Sequence, residues 1–305
     1  MDQSPSNPAR PLPARGEFDE EAYLHLYPDI AQGVEAGVIE SGWRHYVNCG
    51  HAEGRQCATR PDPSVGVSRD IAPGDEMFTG NAEHYFDVGA SAARCIESAL
   101  HTARLPRSSI RRILDLPCGH GRVMRFLRQA FPHAELTACD LNADGVAYCA
   151  RAFGAVPAVS HEDVGRIPLA GGYDLIWCGS LLTHLTEAKC ADFLRLFHRV
   201  LRPGGLAVFT THGRLCEREL AAGKNRHQLE PAQIATLLAQ YRATGFAYVD
   251  YVSHPGYGFS LSHPAFVLNR LIDPAGWRLV GYHENGWDQR QDAVCLRKEY
   301  PAKPA

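Results

Sequence analysis

No apolar stretch in this 305-residue chain is long enough to cross a bilayer. The N-terminus lacks the hydrophobic core of a secretory leader: Met1 to Gly16 is rich in proline and serine. A cytoplasmic location is therefore expected. Charge of one sign is not in excess. The formal net charge of −3 gives no general electrostatic reason to bind nucleic acid. The ten cysteines include no C-x-x-C pair and sit mostly in apolar runs, so reduced core thiols are expected in place of a disulfide scaffold. Cys49-Gly50-His51 with Cys57 lacks a second close-spaced ligand pair, and no metal site is expected there. No internal repeat stands out. The rest is an ordinary globular composition, 45% hydrophobic, over a length that holds one or two domains.

Residues 1–16 read as a disordered tail and 17–57 as a small helical module, with apolar residues at helical spacing in Glu17 to Tyr27 and Trp43 to Val47. Residues 58–75 read as a linker, rich in Pro, Gly, Ser and charge. From 76 to 300 the pattern predicts one larger domain. A helix over Ala90–Ala103 leads into strands at Arg112–Leu116, Glu135–Cys139, Ala155–Ser160, Tyr173–Cys178 and Leu206–Thr211. Helices fill most gaps, at Arg122–Ala130, Ala143–Phe153 and Ala188–Leu201. This alternation predicts an α/β fold with a mostly parallel, Rossmann-like sheet covered on both faces. After Thr211 a helix (Pro231–Ala243), a hairpin and a further helix (Pro264–Ile272) are predicted. Two closing strands, Trp277–Glu284 and Gln291–Lys298, then form an antiparallel C-terminal pair.

The densest signal is Ile113-Leu114-Asp115-Leu116-Pro117-Cys118-Gly119-His120-Gly121-Arg122. It reads as a buried strand breaking into a helix through small residues, the way α/β proteins bring backbone close to a nucleotide-like ligand. Gly119 and Gly121 carry no Cβ to obstruct that approach. Asp115 stands at the strand end, within reach of a ligand amine or a bridging water. Asp140 follows Gly121 by 19 residues at the next strand end, where a carboxylate can accept from a ribose diol. A dinucleotide fingerprint would place a third glycine at Met124, so that fit is incomplete.

The pattern resembles motif one of class I S-adenosylmethionine-dependent methyltransferases. Asp115 matches its acidic residue, Gly119 and Gly121 its later glycines, and Pro117 stands where the first glycine falls. Asp140-Leu141 matches the acidic end of the family's second strand, which implies ribose binding by Asp140. Asp163 before Ile167-Pro168-Leu169 resembles the acidic residue facing adenine. Tyr173–Cys178, with Gly179 after it, resembles the fourth strand, and Leu201-Arg202-Pro203-Gly204-Gly205-Leu206 the turn entering the fifth. The resemblance implies S-adenosyl-L-methionine as cofactor, held by Asp115, Gly119, Gly121, Asp140, Leu141, Asp163, Cys178 and Gly179. By the same resemblance Tyr85 and Gly89 line the methionine end; helix packing is the competing explanation for that pair.

Acceptor chemistry is expected beside the C-terminal ends of strands four and five. His184 and His212 are the candidates there for taking a proton from an acceptor hydroxyl. Cys178-Gly179-Ser180-Leu181 stands where nitrogen-methylating relatives carry Asn/Asp-Pro-Pro-Tyr, which disfavours an amide or base nitrogen as acceptor. Residues 214–263, with Tyr248, Tyr251, Tyr257 and Phe259, read as an acceptor cap or as a hairpin with its own small core.

Phe18-Asp19-Glu20-Glu21-Ala22-Tyr23-Leu24, Tyr27-Pro28-Asp29-Ile30, His45-Tyr46-Val47 and Gly50-His51-Ala52-Glu53-Gly54-Arg55 resemble a module attached to bacterial glycosyltransferases. That implies a glycan-biosynthesis setting, a saccharide or related small molecule as O-methyl acceptor, and glycan-assembly proteins as partners. The competing readings are a nicotinamide-dependent oxidoreductase and a non-catalytic cofactor-binding scaffold.

Overall fold

The computed structural model describes residues 12, 15, 18–57, 66–252, 254–272 and 277–299. It divides into two compact units, residues 1–65 and 66–305. Apart from Leu12 and Arg15, the tail predicted over 1–16 lies outside the described residues, as does the 58–65 part of the predicted linker.

In the first unit, α1 (Glu20–Leu26) starts at Asp19, whose carboxylate accepts from the Ala22 amide at 3.0 Å. Pro28 sets φ at the start of α2 (Pro28–Glu35). α3 (Gly42–His45) runs into a π-helical turn, Tyr46–Gly50. Phe18, Tyr23, Ile30 and Tyr46 form the core. The Glu20 carboxylate ties α1 to α3 by accepting from the amides of Gly42 and Trp43. The residues that carry the module resemblance are thus largely its packing and capping residues.

The second unit contains β1 (Arg112–Asp115), β2 (Glu135–Asp140), β3 (Val156–Val159), β4 (Tyr173–Cys178) and β5 (Leu201–Thr211). A separate hairpin, β6 (Phe246–Tyr251) and β7 (His254–Ser262), precedes β8 (Trp277–Trp287) and β9 (Gln291–Lys298). The main sheet has the order β3-β2-β1-β4-β5-β9-β8. Its first five strands are parallel, and β9 and β8 close it in antiparallel register. This is the predicted architecture.

Alternation explains the two covered faces. Ile176 and Cys178 of β4 face one apolar cluster with Ala207 and Phe209 of β5. Leu175 and Trp177 face the other, with Leu206 and Val208. Burying a leucine or isoleucine at such positions contributes roughly 1.5–3 kcal/mol each. The helices packed on the sheet are α4 (Ala82–Ala103), α5 (Met124–Ala130), α6 (Ala143–Phe153) and α7 (Glu187–Val200). Among the described residues no helix is long and apolar enough to cross a membrane.

Two expectations change. Residues 66–75, read as linker, pack on the α/β unit. Val67 and Ala72 are buried, and the buried Arg125 donates to the carbonyls of Ser68 and Asp70, each at 2.9 Å. Leu201–Gly205, read as a turn, lies within β5. The β4–β5 register shifts there from Tyr173↔Leu201 to Leu175↔Leu206, and Gly204 at φ +81° lets the strand bulge. Arg202 in this bulge pairs with Asp174, whose other oxygen accepts from the amides of Arg111 and Arg112 at 2.7 and 2.8 Å. The segment therefore braces the entry of β1.

Residues 214–263 contribute α8 (Arg214–Ala221), α9 (Pro231–Thr244) and the β6–β7 hairpin. They share a small core of their own, including Leu220, Leu237, Tyr241 and Phe259.

Candidate active site

Strand order reverses between β1 and β4, so the chain leaves these neighbours toward opposite sides. In such sheets the crevice lies beyond the C-terminal strand ends at this point. Asp115 ends β1, Asp140 ends β2 and Cys178 ends β4. His212 directly follows β5.

Asp115 is 1% exposed, and neither carboxylate oxygen has a hydrogen-bond partner among the described residues. Burial, then the nearby Asp140 charge, holds its pKa well above the usual carboxylate range, while Arg122 opposes the shift. A buried carboxylate left unpaired is costly unless a donor or cation arrives. Pro117, in a cis peptide with Leu116, leads into the turn. Gly119 has φ +49°, and no atom lies within 4 Å of where a Cβ would stand. The turn is thus open to a ligand above Gly119.

Sequence reasoning missed Arg122. It is half-buried and has no hydrogen bond or ion pair among the described residues; its guanidinium carbon lies 5.8 Å from the centre of the Trp287 ring. Burial lowers its pKa, against the pull of Tyr85, Asp75, Asp288 and Asp115. Its sequence context, one arginine at a helix start, looks like any solvated charge.

Asp140 Oδ2 accepts from the Gly119 amide at 2.8 Å and Oδ1 from the Asn142 amide at 2.9 Å. Each oxygen keeps a second lone pair for a diol. Leu141 follows, 60% exposed, and offers apolar surface beside it. Asp163 is exposed and caps a 3-10 turn through the Gly165 amide at 2.9 Å. Cys178 is buried, and burial raises its thiol pKa.

Other predicted ligand residues have packing roles. A Cβ on Gly89 would stand 2.6 Å from the Arg122 carbonyl oxygen and against the Phe126 ring, so Gly89 allows close contact of α4 with the turn into α5. Gly121, at φ +82°, faces Phe153 and Cys149. Gly179 faces Trp177 and Trp287. The Tyr85 hydroxyl is engaged, donating to Asp75 at 2.5 Å and accepting from Arg125 at 3.3 Å.

The structure brings His184 and His212 together, with ring centres 6.2 Å apart. His184 stacks on Tyr257 at 4.8 Å and His212 on Phe259 at 4.4 Å. Both aromatics come from one face of β7. A third histidine, His227, lies 5.7 Å from His212 and was missed because it sits in a loop at φ +48° with no periodic signal. Burial holds all three imidazoles below the ordinary histidine value. Partial burial and then the Asp140 carboxylate raise the Tyr257 hydroxyl pKa to about 12. Tyr248 does not join this group; its hydroxyl donates to Asp250 at 2.6 Å.

Beneath them, Gln291 of β9 accepts from Thr210 at 2.6 Å and donates to Ser180 Oγ at 3.0 Å. The Ser180 amide donates to Thr210 at 2.8 Å, and Ser180 is held at φ +60°. Trp287 packs edge-on against Trp177 and donates its indole N–H to the Val88 carbonyl at 3.0 Å. A separate cavity of about 200 Å³ between α4 and the β8–β9 pair is lined by none of these site residues. Among the described residues, no group of three or more His, Cys, Asp or Glu is placed to hold a metal.

The fold and crevice define a nucleotide-type cofactor site, and comparison with known proteins identifies its family. Residues 113–205 match the profile described as "Methyltransferase domain". Malonyl-[acyl-carrier protein] O-methyltransferase of Enterobacter lignolyticus is 34% identical over 135 residues, 44% of this chain and 51% of that protein. The enzyme of that name from Dechloromonas aromatica is 30% identical over 202 residues, 62% of this chain and 71% of that protein. A methyltransferase structure from Clostridium acetobutylicum superposes with a TM-score of 0.48 at 12% identity, over 73% of this chain and 94% of that one. The chain spans about half the length of the first curated relatives it matches. It belongs to the methyltransferase family, whose methyl donor is S-adenosylmethionine. The residues present fit that donor: an unpartnered buried carboxylate, an open glycine turn and a second carboxylate with spare lone pairs.

Proposed function

We propose that the chain transfers methyl from S-adenosylmethionine to oxygen of a small-molecule acceptor held between the sheet and the 214–263 cap. The observation that carries this reading is the unpartnered Asp115 carboxylate beside the open Gly119 turn. S-adenosylmethionine bound there supplies an electrophilic sulfonium methyl. Asp115 receives the ammonium of its amino-acid end, Arg122 the carboxylate, and Asp140 the ribose diol. Leu141 covers apolar ring surface, and Asp163 faces the adenine side.

The chain's own part in the reaction is positioning and exclusion of water. Tyr251, Tyr257 and Phe259 form the cap wall. His184 and His212 stand at the acceptor rim. The module resemblance in residues 17–57 makes a saccharide hydroxyl the first acceptor to try, and the curated relatives make a malonyl thioester the second.

Calorimetry with S-adenosylhomocysteine and with NAD tests the donor assignment. Binding of the sulfur ligand without NAD binding is expected; the reverse sinks the reading in favour of an oxidoreductase.

A further inference from the structure

We propose that His184 and His212 restrict the acceptor to an oxygen that brings its own proton, an alcohol or phenol hydroxyl, and shut out carboxylates; this rests on the methyl-transfer reading above. Nδ1 of His184 lies 2.8 Å from the carbonyl oxygen of Gly258, and Nδ1 of His212 lies 3.2 Å from that of Ser260. These carbonyls are two residues apart on β7. A carbonyl oxygen only accepts, so each Nδ1 carries the proton. A neutral imidazole has one N–H, which leaves each Nε2 with a bare lone pair. Among the described residues neither Nε2 has a partner.

The surroundings keep both rings neutral. No carboxylate lies within ion-pair distance of either ring among the described residues. Tyr251 and Tyr257 face His184, while Phe259 and His227 face His212, with Cys216 beside His227. The nearby cations act elsewhere. Lys189 donates to the Gly256 carbonyl at 3.5 Å, and the Arg290 charge reaches His227 but neither His184 nor His212.

Two lone-pair nitrogens attract a hydroxyl, which can donate to them. They repel a carboxylate, which has only lone pairs and would lose its water with no donor in exchange. In the transfer, the hydroxyl oxygen forms the bond to the methyl carbon. The carbon–sulfur pair returns to sulfur as a neutral thioether, and the hydroxyl proton passes to an Nε2. The site holds one positive charge before, on sulfur, and one after, on imidazole, so no carboxylate is required beside the histidine.

Two measurements on the full chain decide this. The first is nitrogen NMR of 15N-histidine protein with S-adenosylhomocysteine at pH 7, with signals assigned through H184Q and H212Q. Both rings are expected neutral, with protonated Nδ1 and unprotonated Nε2. A charged ring or an Nε2–H form at both positions overturns the proposal. The second transfers labelled methyl into a small-molecule cell extract and treats the product with alkali. An ether keeps its label, as expected; an ester releases it as methanol, which overturns the proposal. Methyl uptake by malonyl-coenzyme A offered alone also overturns it. Binding of S-adenosylhomocysteine without any labelled product removes the transfer reading itself.

Discussion

Asp140 Oδ2 accepts the amide hydrogen of Gly119 at 2.8 Å, so the end of β2 fixes the turn that leaves β1. The same carboxylate holds Asn142, the cap of α6, through its other oxygen.

Asp140→Ala therefore removes two structural bonds and the proposed ribose acceptor together. Affinity for S-adenosylhomocysteine should fall at least tenfold by calorimetry, with a stability loss of about 1–3 kcal/mol in denaturant. Asp140→Asn keeps one acceptor oxygen and should lie between. Wild-type affinity in the alanine variant would falsify the ribose assignment.

Asp115 should show the opposite balance between stability and binding. Its folded pKa is raised, so its favourable contribution is complete below the unfolded value of 3.8 and is lost as pH rises through the folded pKa. At pH 7 the ligand-free protein carries the cost of keeping this unpaired carboxyl buried. Asp115→Asn should raise the melting temperature at pH 7, by an amount that shrinks as the pH is lowered. It should also weaken S-adenosylhomocysteine binding by about 10- to 100-fold. A variant less stable than wild type at pH 7 contradicts this account.

Arg122 can be tested by trimming the ligand. Arg122→Met should cost about tenfold in affinity for S-adenosylhomocysteine and leave 5′-methylthioadenosine, which lacks the amino-acid end, unchanged. Equal losses for both ligands would point to a packing role on Trp287 instead.

Gly89→Ala separates packing from binding. The added methyl meets the Arg122 carbonyl and the Phe126 ring, so a loss of about 1–3 kcal/mol in stability is expected. The folded fraction should bind S-adenosylhomocysteine as wild type does; a selective loss of affinity would restore Gly89 to the ligand site.

Local chemistry made parts of this fold legible. β4 appears over the predicted Tyr173–Cys178 because a run that is apolar apart from Asp174 follows paired glycines. α6 appears over Ala143–Phe153 because Asn142 caps one end and Gly154, at φ +63°, the other. The bulge at Arg202–Gly205 was hidden because Pro-Gly-Gly reads as a turn wherever it occurs, and only pairing with β4 retains it in a strand. The strand-end positions of Asp115 and Asp140 were readable from spacing. Arg122 and His227 were not, since their significance comes from the company that distant elements bring to them. Gly89 and Gly121 show the converse: a glycine near a ligand loop looks the same in sequence whether it faces a ligand or a phenylalanine.

Gln291 and Trp287 give the crevice an order of completion. Ribosomal synthesis delivers β1 through β5, with Asp115 and Asp140, long before the residues that brace Ser180 and Trp177. A nascent chain ending at residue 276 has the carboxylates but no β9 beside β5, leaving the floor beneath the acceptor rim unfinished. A chain stalled before the final strand pair should therefore emerge with Asp115 and Asp140 in place but with Ser180 and Trp177 unbraced.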